Sequence, residues 1–192
     1  MSQRCCLVRA HTDHGGARRT RLDDLERLLR LSMAVYIFLD IDGVLLPFPK
    51  AEKSSCGAIF PDANLEAFFH LLAQVPDHRV ILSSTWRVQP SFVQDILESL
   101  RLYAYTYGTV SVDFFDKTDP TCHTTRDDEI VRWLDLHPEA TEWLALDDED
   151  LMSRENAGRM KGHVVHTESH VGLTMNDVEH GLEQLRLQRH SE

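Results

Sequence analysis

Cysteine is scarce in this chain, and its few cysteines are not grouped. The four are Cys5, Cys6, Cys56 and Cys122, and no pair of them has C-x-x-C spacing. Disulfide frameworks and zinc sites depend on clustered cysteines. We therefore expect a protein of a reducing, intracellular compartment.

Long apolar runs and basic residues are also in short supply. No apolar stretch approaches the ~20 residues that cross a bilayer, and the N-terminus carries charge where a signal peptide has its apolar core. We expect a cytoplasmic protein without a membrane partner. The 20 Lys and Arg face 31 Asp and Glu, a formal charge of −11. Because non-specific nucleic-acid binding needs clustered cations, we expect none that is strong, although a local basic site is compatible with this balance.

The hydrophobic content supports one folded domain. Hydrophobic residues make up 42% of 192 positions, which is enough for one well-buried core. Residues 1–20 lack periodicity, and leucines between positions 22 and 31 have helical spacing. We predict an N-terminal arm over residues 1–32, partly disordered with one short helix, and a domain over residues 33–190. An appended arm and a mis-assigned upstream start would produce the same pattern.

Within the domain, strand-like and helix-like segments alternate. The strand-like segments are "AVYIFLD", "RVILSS", "EWLALDD" and "GHVVHT"; the helix-like ones are "PDANLEAFFHLLAQV", "PSFVQDILESLRL", "TRDDEIVRWLDL" and a closing helix from Thr174 to about Leu187. We also interpret the aromatic stretch "YAYTYGTVSVDFF" as β-like. Such alternation predicts an α/β, three-layer Rossmann-like fold with a central parallel sheet. Ligands of these sheets bind beyond the carboxyl ends of the strands.

Polar side chains stand where three apolar strands end. These are Asp40, Ser83 and Asp147, and Asp42 and Asp148 add two more carboxylates beside them. Two like charges ~4 Å apart repel by roughly 4 kcal/mol at an effective dielectric near 20, so such a cluster requires a cation. All-oxygen ligands of high charge suit Mg²⁺, and Gly43 permits a tight turn beside them. A single aspartate after a strand is often only a turn former or helix cap.

Two such strand ends in the right order favour the metal site. "DIDGV", "ILSS", a later basic residue and "LALDDED" together resemble the four ordered motifs of the haloacid dehalogenase-like (HAD) superfamily of phosphotransferases, over about residues 36–150. "FLDIDGVLLP", "ILSSTWR", "EIVRWL", "WLALDDED" and "HTESHVGLT" resemble, more narrowly, the HAD domain of Swiss Army Knife RNA repair proteins.

The resemblance implies a role for each matching residue. Asp40 matches the nucleophile that forms an aspartyl-phosphate, and Asp42 matches the general acid/base. Ser83 matches the residue that donates to the phosphoryl oxygens. Asp147, Asp148 and the backbone carbonyl of Asp42 match the Mg²⁺ ligands, and we count Asp40 among the metal residues. Whether Asp147 or Asp148 binds the metal directly is open.

The basic member of the site has two candidates. Arg126 lies in a predicted first helical turn, where a cation is unfavourable to the helix dipole, and this placement indicates a function for its charge. Its distance ahead of Asp147 also matches the Lys or Arg position of the family that it resembles, whose charge offsets that of the transferring phosphoryl group. Lys117 is the rival. We assign Ser84, Arg87 and Gly43 to substrate binding, with a salt bridge as the alternative for Arg87.

The predicted function is a Mg²⁺-dependent phosphomonoester hydrolase. Neither interval in which HAD enzymes insert a cap looks long enough for one, so we expect an open site and, from the resemblance, a phosphorylated polynucleotide end as substrate. A phosphoprotein or small metabolite is the alternative substrate, and a non-catalytic phosphate-binding module is the alternative function. We expect Trp133 and Trp143 in the core rather than in a base-stacking platform.

Overall fold

The structure is a computed structural model, which describes residues 34–49, 53–119 and 124–190. The predicted arm over residues 1–32, with its short helix, lies outside these residues.

Five parallel strands form the central sheet. They are β1 (Val35–Leu39), β2 (His78–Leu82), β3 (Phe114–Lys117), β4 (Glu142–Asp147) and β5 (Val164–His166). Their spatial order is β3-β2-β1-β4-β5. Every residue of β1 is buried, because β1 lies in the middle of the sheet with β2 and β4 beside it. The predicted parallel sheet is confirmed.

Helices cover both faces of the sheet, as a parallel sheet requires. They are α1 (Asp62–Gln74), α2 (Pro90–Tyr107), α3 (Arg126–Leu136), α4 (Ala157–Met160) and α5 (Met175–Arg189), with 3₁₀ turns at Thr85–Val88 and Leu151–Ser153. Side chains alternate between faces along a strand. Val35, Ile37 and Leu39 therefore pack in the same cluster as α1, α2 and α5, whereas Tyr36 and Phe38 pack with α3 and α4.

The second face has an aromatic core. The ring of Phe38 meets Trp133 and Trp143 edge to face, with centroid distances of 5.3 Å and 5.7 Å. Both tryptophans are buried, so the prediction that they belong to the core is confirmed. This packing fixes α3 against β1 and β4, and α3 begins at Arg126.

One element was predicted wrongly. The segment from Tyr103 to Tyr107, which we interpreted as β-like, is the last turn and a half of α2. Tyr103 stacks on Phe69 of α1 at a centroid distance of 5.1 Å and contacts Tyr107 at 4.6 Å. The helix ends at Gly108, whose φ of 64° is left-handed and therefore suits glycine. Only Phe114–Lys117 of the stretch forms a strand.

The described residues contain no separately folded cap. A loop and α1 connect β1 to β2, and a 3₁₀ turn, α2 and β3 lie between β2 and α3. The closing helix starts as predicted, since Thr174 and Asp177 form a reciprocal capping box.

None of the helices in the described part of the chain is long and apolar enough to span a membrane.

Candidate active site

The three polar strand ends lie side by side at one edge of the sheet. β2, β1 and β4 are neighbours, so Ser83, Asp40 and Asp147 follow each other across it. The backbone continues the pairing at this point: Ser83 N donates to Leu39 O at 2.9 Å, and Asp40 N donates to Leu146 O at 3.0 Å. The sheet register therefore sets the relative positions of these side chains.

Three carboxylates converge there. Asp40, Asp147 and Asp148 each offer an oxygen, and these oxygens lie within 4.8 Å of one another. Asp40 is 5% exposed and Asp147 only 1%. Burial raises the pKa of Asp147 to about 8, with Arg126 opposing and Asp40 adding to the rise. Burial also raises the pKa of Asp40 and of Asp148. The protein thus holds acids that a cation would help to ionise, and their oxygen donors suit Mg²⁺.

Arg126 provides positive charge inside the cluster. Its Nη2 lies 3.8 Å from Asp40 Oδ2, and its Nε lies 3.5 Å from Asp147 Oδ2. Nη1 donates to Ser83 Oγ at 3.1 Å. As the first residue of α3, Arg126 is placed by the packing of that helix on the sheet. Its rival Lys117 is exposed at the end of β3, so the structure brings Arg126 to the carboxylates.

Arg87 has the salt bridge that was the alternative to substrate binding. It is 4% exposed, and its Nη2 contacts Glu129 Oε1 at 2.6 Å. Its Nε donates to Thr118 O at 3.0 Å, and Nη1 donates to Ser84 O. The guanidinium therefore joins the 3₁₀ turn after β2 to α3, which fixes Arg126 relative to Ser83.

The buried side chain of Ser84 contacts Asp40 in the carboxylate cluster. It is fully buried, and its hydroxyl forms a hydrogen bond that lowers the pKa of Asp40 against the effect of burial. Ile41 N donates to Asp40 Oδ1 at 2.7 Å. Both groups stabilise Asp40 in its ionised form, so Ser84 orients Asp40 in the described structure.

The Asp42 side chain is held by the 3₁₀ turn that follows β2. We predicted that Asp42 binds the metal through its backbone carbonyl, and this stays a prediction; the side-chain carboxylates that cluster in the described chain are those of Asp40, Asp147 and Asp148. The Oδ2 of Asp42 instead accepts a hydrogen bond from Trp86 Nε1 at 2.8 Å. Trp86 has a position we did not foresee, although "STWR" was singled out as a motif.

The turn after Asp42 is held from the C-terminal part of the chain. Thr167, 1% exposed, donates from Oγ1 to Gly43 O at 2.8 Å. Leu173 N donates to Val44 O at 2.8 Å. Gly43 has a φ of 69°, and a Cβ there would clash with the carboxylate of Asp148. Glycine therefore lets the turn approach the acidic cluster, and "HTESHVGLT" supplies the residues that support it.

A comparison with known protein families identifies the family of this chain. A family profile described as the HAD domain in Swiss Army Knife RNA repair proteins matches residues 36–178. The chain belongs to this family. The matched region of the HAD domain includes the carboxylate cluster, Arg126, Trp86 and Thr167. A search of curated proteins finds no match to the chain. Family membership supports a phosphatase-type hydrolase at the level of the superfamily.

Proposed function

We propose that this HAD domain is a Mg²⁺-dependent phosphomonoester hydrolase that works through an aspartyl-phosphate. The observation that supports it best is the environment of Asp40. This buried carboxylate has one oxygen held by Ile41 N at 2.7 Å and the other 3.8 Å from the Arg126 guanidinium. A nucleophile that is held in place and faces a cation suits attack on an anionic phosphoryl group.

In the first step, an oxygen of Asp40 bonds to phosphorus and the bond from phosphorus to the ester oxygen breaks. Asp42 gives its proton to the departing oxygen. In the second step, the Asp42 carboxylate takes a proton from water, the water oxygen bonds to phosphorus, and the bond to Asp40 breaks. The hydrogen bond from Trp86 Nε1 to the Asp42 carboxylate at 2.8 Å supports this division of roles, because it holds the proposed acid/base in place.

Arg126 and Ser83 are proposed to bind the transferring group. The Arg126 guanidinium faces Asp40 and Asp147 and donates to Ser83 Oγ, so both side chains lie next to the attacking oxygen. Together they offset the negative charge of the phosphoryl oxygens.

Asp40, Asp147 and Asp148 would hold the metal. Their oxygens lie within 4.8 Å of one another, a spacing and a donor chemistry that fit Mg²⁺. When bound, Mg²⁺ neutralises charge on the carboxylates and on a phosphate oxygen.

Release of phosphate from an aryl phosphate tests the proposal. We expect Mg²⁺-dependent turnover by the wild type and a loss of orders of magnitude in Asp40→Asn, since a covalent nucleophile is removed. Asp42→Asn should accumulate phosphoenzyme from p-nitrophenyl phosphate, because this leaving group needs little protonation whereas hydrolysis still needs a base. More than about a tenth of wild-type activity in Asp40→Asn would contradict the nucleophile assignment.

For the substrate we propose a phosphorylated polynucleotide end in the cytoplasm. The absence of a cap among the described residues supports an open site that a large substrate covers and shields from water. The net charge of −11 implies few backbone contacts and a shallow salt dependence of binding. The test compares kcat/KM for a terminally phosphorylated oligonucleotide with that for sugar phosphates; a preference for a sugar phosphate would refute this substrate.

A further inference from the structure

A cavity of about 480 Å³ opens beside the side chain that holds Asp42. Its size falls in the range of small-molecule sites. Its lining includes the apolar side chains of Leu46 and Ile59, the rings of Trp86 and Phe92, and the carboxylates of Asp95 and Glu98. The roles proposed above for the carboxylate cluster do not use this cavity.

Two residues that line the cavity form hydrogen bonds with the turn that contains Asp42. Trp86 donates to the Asp42 carboxylate at 2.8 Å, and Leu46 O accepts from Gly43 N at 2.9 Å. In the proposed reaction, Asp42 protonates the leaving oxygen. The group attached to that oxygen therefore lies next to Asp42, and among the described residues this cavity is a concave surface that adjoins it.

The chemistry of the cavity selects a flat, neutral ring. Trp86 and Phe92 have ring centroids 5.4 Å apart with the planes inclined by 51°, and Phe92 is 40% exposed. Exposed aromatic faces stack on nucleobases with little regard to sequence. Asp95 and Glu98 can accept hydrogen bonds from amino groups such as those of a base, with one Glu98 oxygen already accepting from Gln94 Nε2 at 2.8 Å, and their charge disfavours a second phosphate in the cavity.

We propose that this cavity binds the base of the nucleoside that leaves in the reaction. The inference rests on the proposed phosphatase function, because that function places the leaving group next to Asp42. It adds a specificity site formed by Trp86 and Phe92, and it predicts that a nucleotide is preferred to a phosphate ester without an aromatic ring.

Phe92 allows a matched test, since its phenyl ring has no hydrogen-bonding group that could hold Asp42. The wild type and two variants, Phe92→Leu and Phe92→Tyr, are compared on AMP and glycerol phosphate. We expect the wild-type ratio of kcat/KM for AMP over glycerol phosphate to fall roughly tenfold in Phe92→Leu, a size typical of base stacking, and to be restored in Phe92→Tyr. Val88→Ala is the control, because Val88 is 62% exposed and is not among the residues that line the cavity.

Adenosine binding separates this inference from the proposed function. Trp133 and Trp143 are 4% and 5% exposed, so quenching of tryptophan fluorescence by adenosine reports mainly on Trp86. Quenching that Phe92→Leu weakens would support the base site even in a protein without phosphatase activity, and the function would then be wrong. Phosphatase activity with equal kcat/KM for both substrates and no adenosine binding would overturn the base site and leave the function standing.

Discussion

The buried Asp147 makes the stability of the metal-free protein depend on pH. Its pKa is raised from 3.8 to about 8, mainly by burial. Between these pH values the folded protein keeps a proton that the unfolded chain has released. The stabilising contribution is therefore fully present below about pH 3.8 and is lost as pH rises to about 8.

The expected size follows from linkage. One pKa unit corresponds to about 1.4 kcal/mol, and a shift from pH 5.5 to 7.5 lies inside the window in which Asp147 is protonated only in the folded state. We expect Asp147 to reduce the free energy of unfolding by roughly 2–3 kcal/mol across this interval. Asp40 has a raised pKa for the same reason and acts in the same direction.

The assay is urea unfolding followed by far-UV circular dichroism, in EDTA, at pH 5.5 and 7.5. Asp147→Asn removes the titrating group, whereas the 11 histidines titrate in both proteins and cancel in the comparison. Glu155→Gln is the matched control, because Glu155 is exposed and the substitution makes the same acid-to-amide change outside the cluster. Added Mg²⁺ should stabilise the wild type more at pH 7.5 than at pH 5.5, since metal ligands must be deprotonated.

Equal pH dependence in the wild type and Asp147→Asn would refute this reasoning. It would mean that the Asp147 carboxyl has an ordinary pKa in the folded protein because water reaches it.

Three further predictions concern the metal and the Asp42 turn. Millimolar Mg²⁺ should raise the Tm of the wild type in a thermal scan, because it binds only the folded carboxylates, and the rise should shrink in Asp148→Asn; no rise in the wild type would argue against the metal site. Gly43→Ala should reduce both the free energy of unfolding and the Mg²⁺-induced rise in Tm, since the added Cβ would meet Asp148. Gly57→Ala, at a φ of 90° with nothing within 4 Å of the added Cβ, should show only backbone strain, about 1–3 kcal/mol by urea unfolding. Equal effects of the two variants would contradict the steric argument. Trp86→Phe removes the N–H donor to Asp42, so kcat/KM should fall more for glycerol phosphate than for p-nitrophenyl phosphate, whose leaving group needs less protonation; a uniform loss would argue against an effect of Trp86 on proton transfer by Asp42.

The sequence determined the sheet and the edge at which the site lies. Apolar runs of strand length that alternate with amphipathic helices predict parallel strands, since each helix returns the chain to the same end of the sheet. Asp40 and Asp147 follow such runs directly, so their position at one edge is a consequence of chain order. Ser83 also follows such a run, so the same reasoning places it at this edge.

The sequence pattern was insufficient where the periodicities of a strand and of a helix both fit the same residues. Tyrosines at positions 103, 105 and 107 alternate as in a strand, yet Tyr103 and Tyr107 are also one helical turn apart. Packing decided between them: Tyr103 is buried on Phe69, and Tyr105 is 90% exposed. The contact between Tyr103 and Phe69 joins α2 to α1, so the sequence of either segment alone does not predict it.

Only the tertiary structure decided which polar side chains meet. Arg126 rather than Lys117 reaches Asp40, Arg87 pairs with Glu129, and the indole of Trp86 holds Asp42. Each contact joins residues that are far apart in the chain, so its formation depends on how helices and turns pack on the sheet and on the direction in which each side chain then points. Sequence spacing fixes which strand end carries a charge, whereas packing fixes which partner that charge can reach.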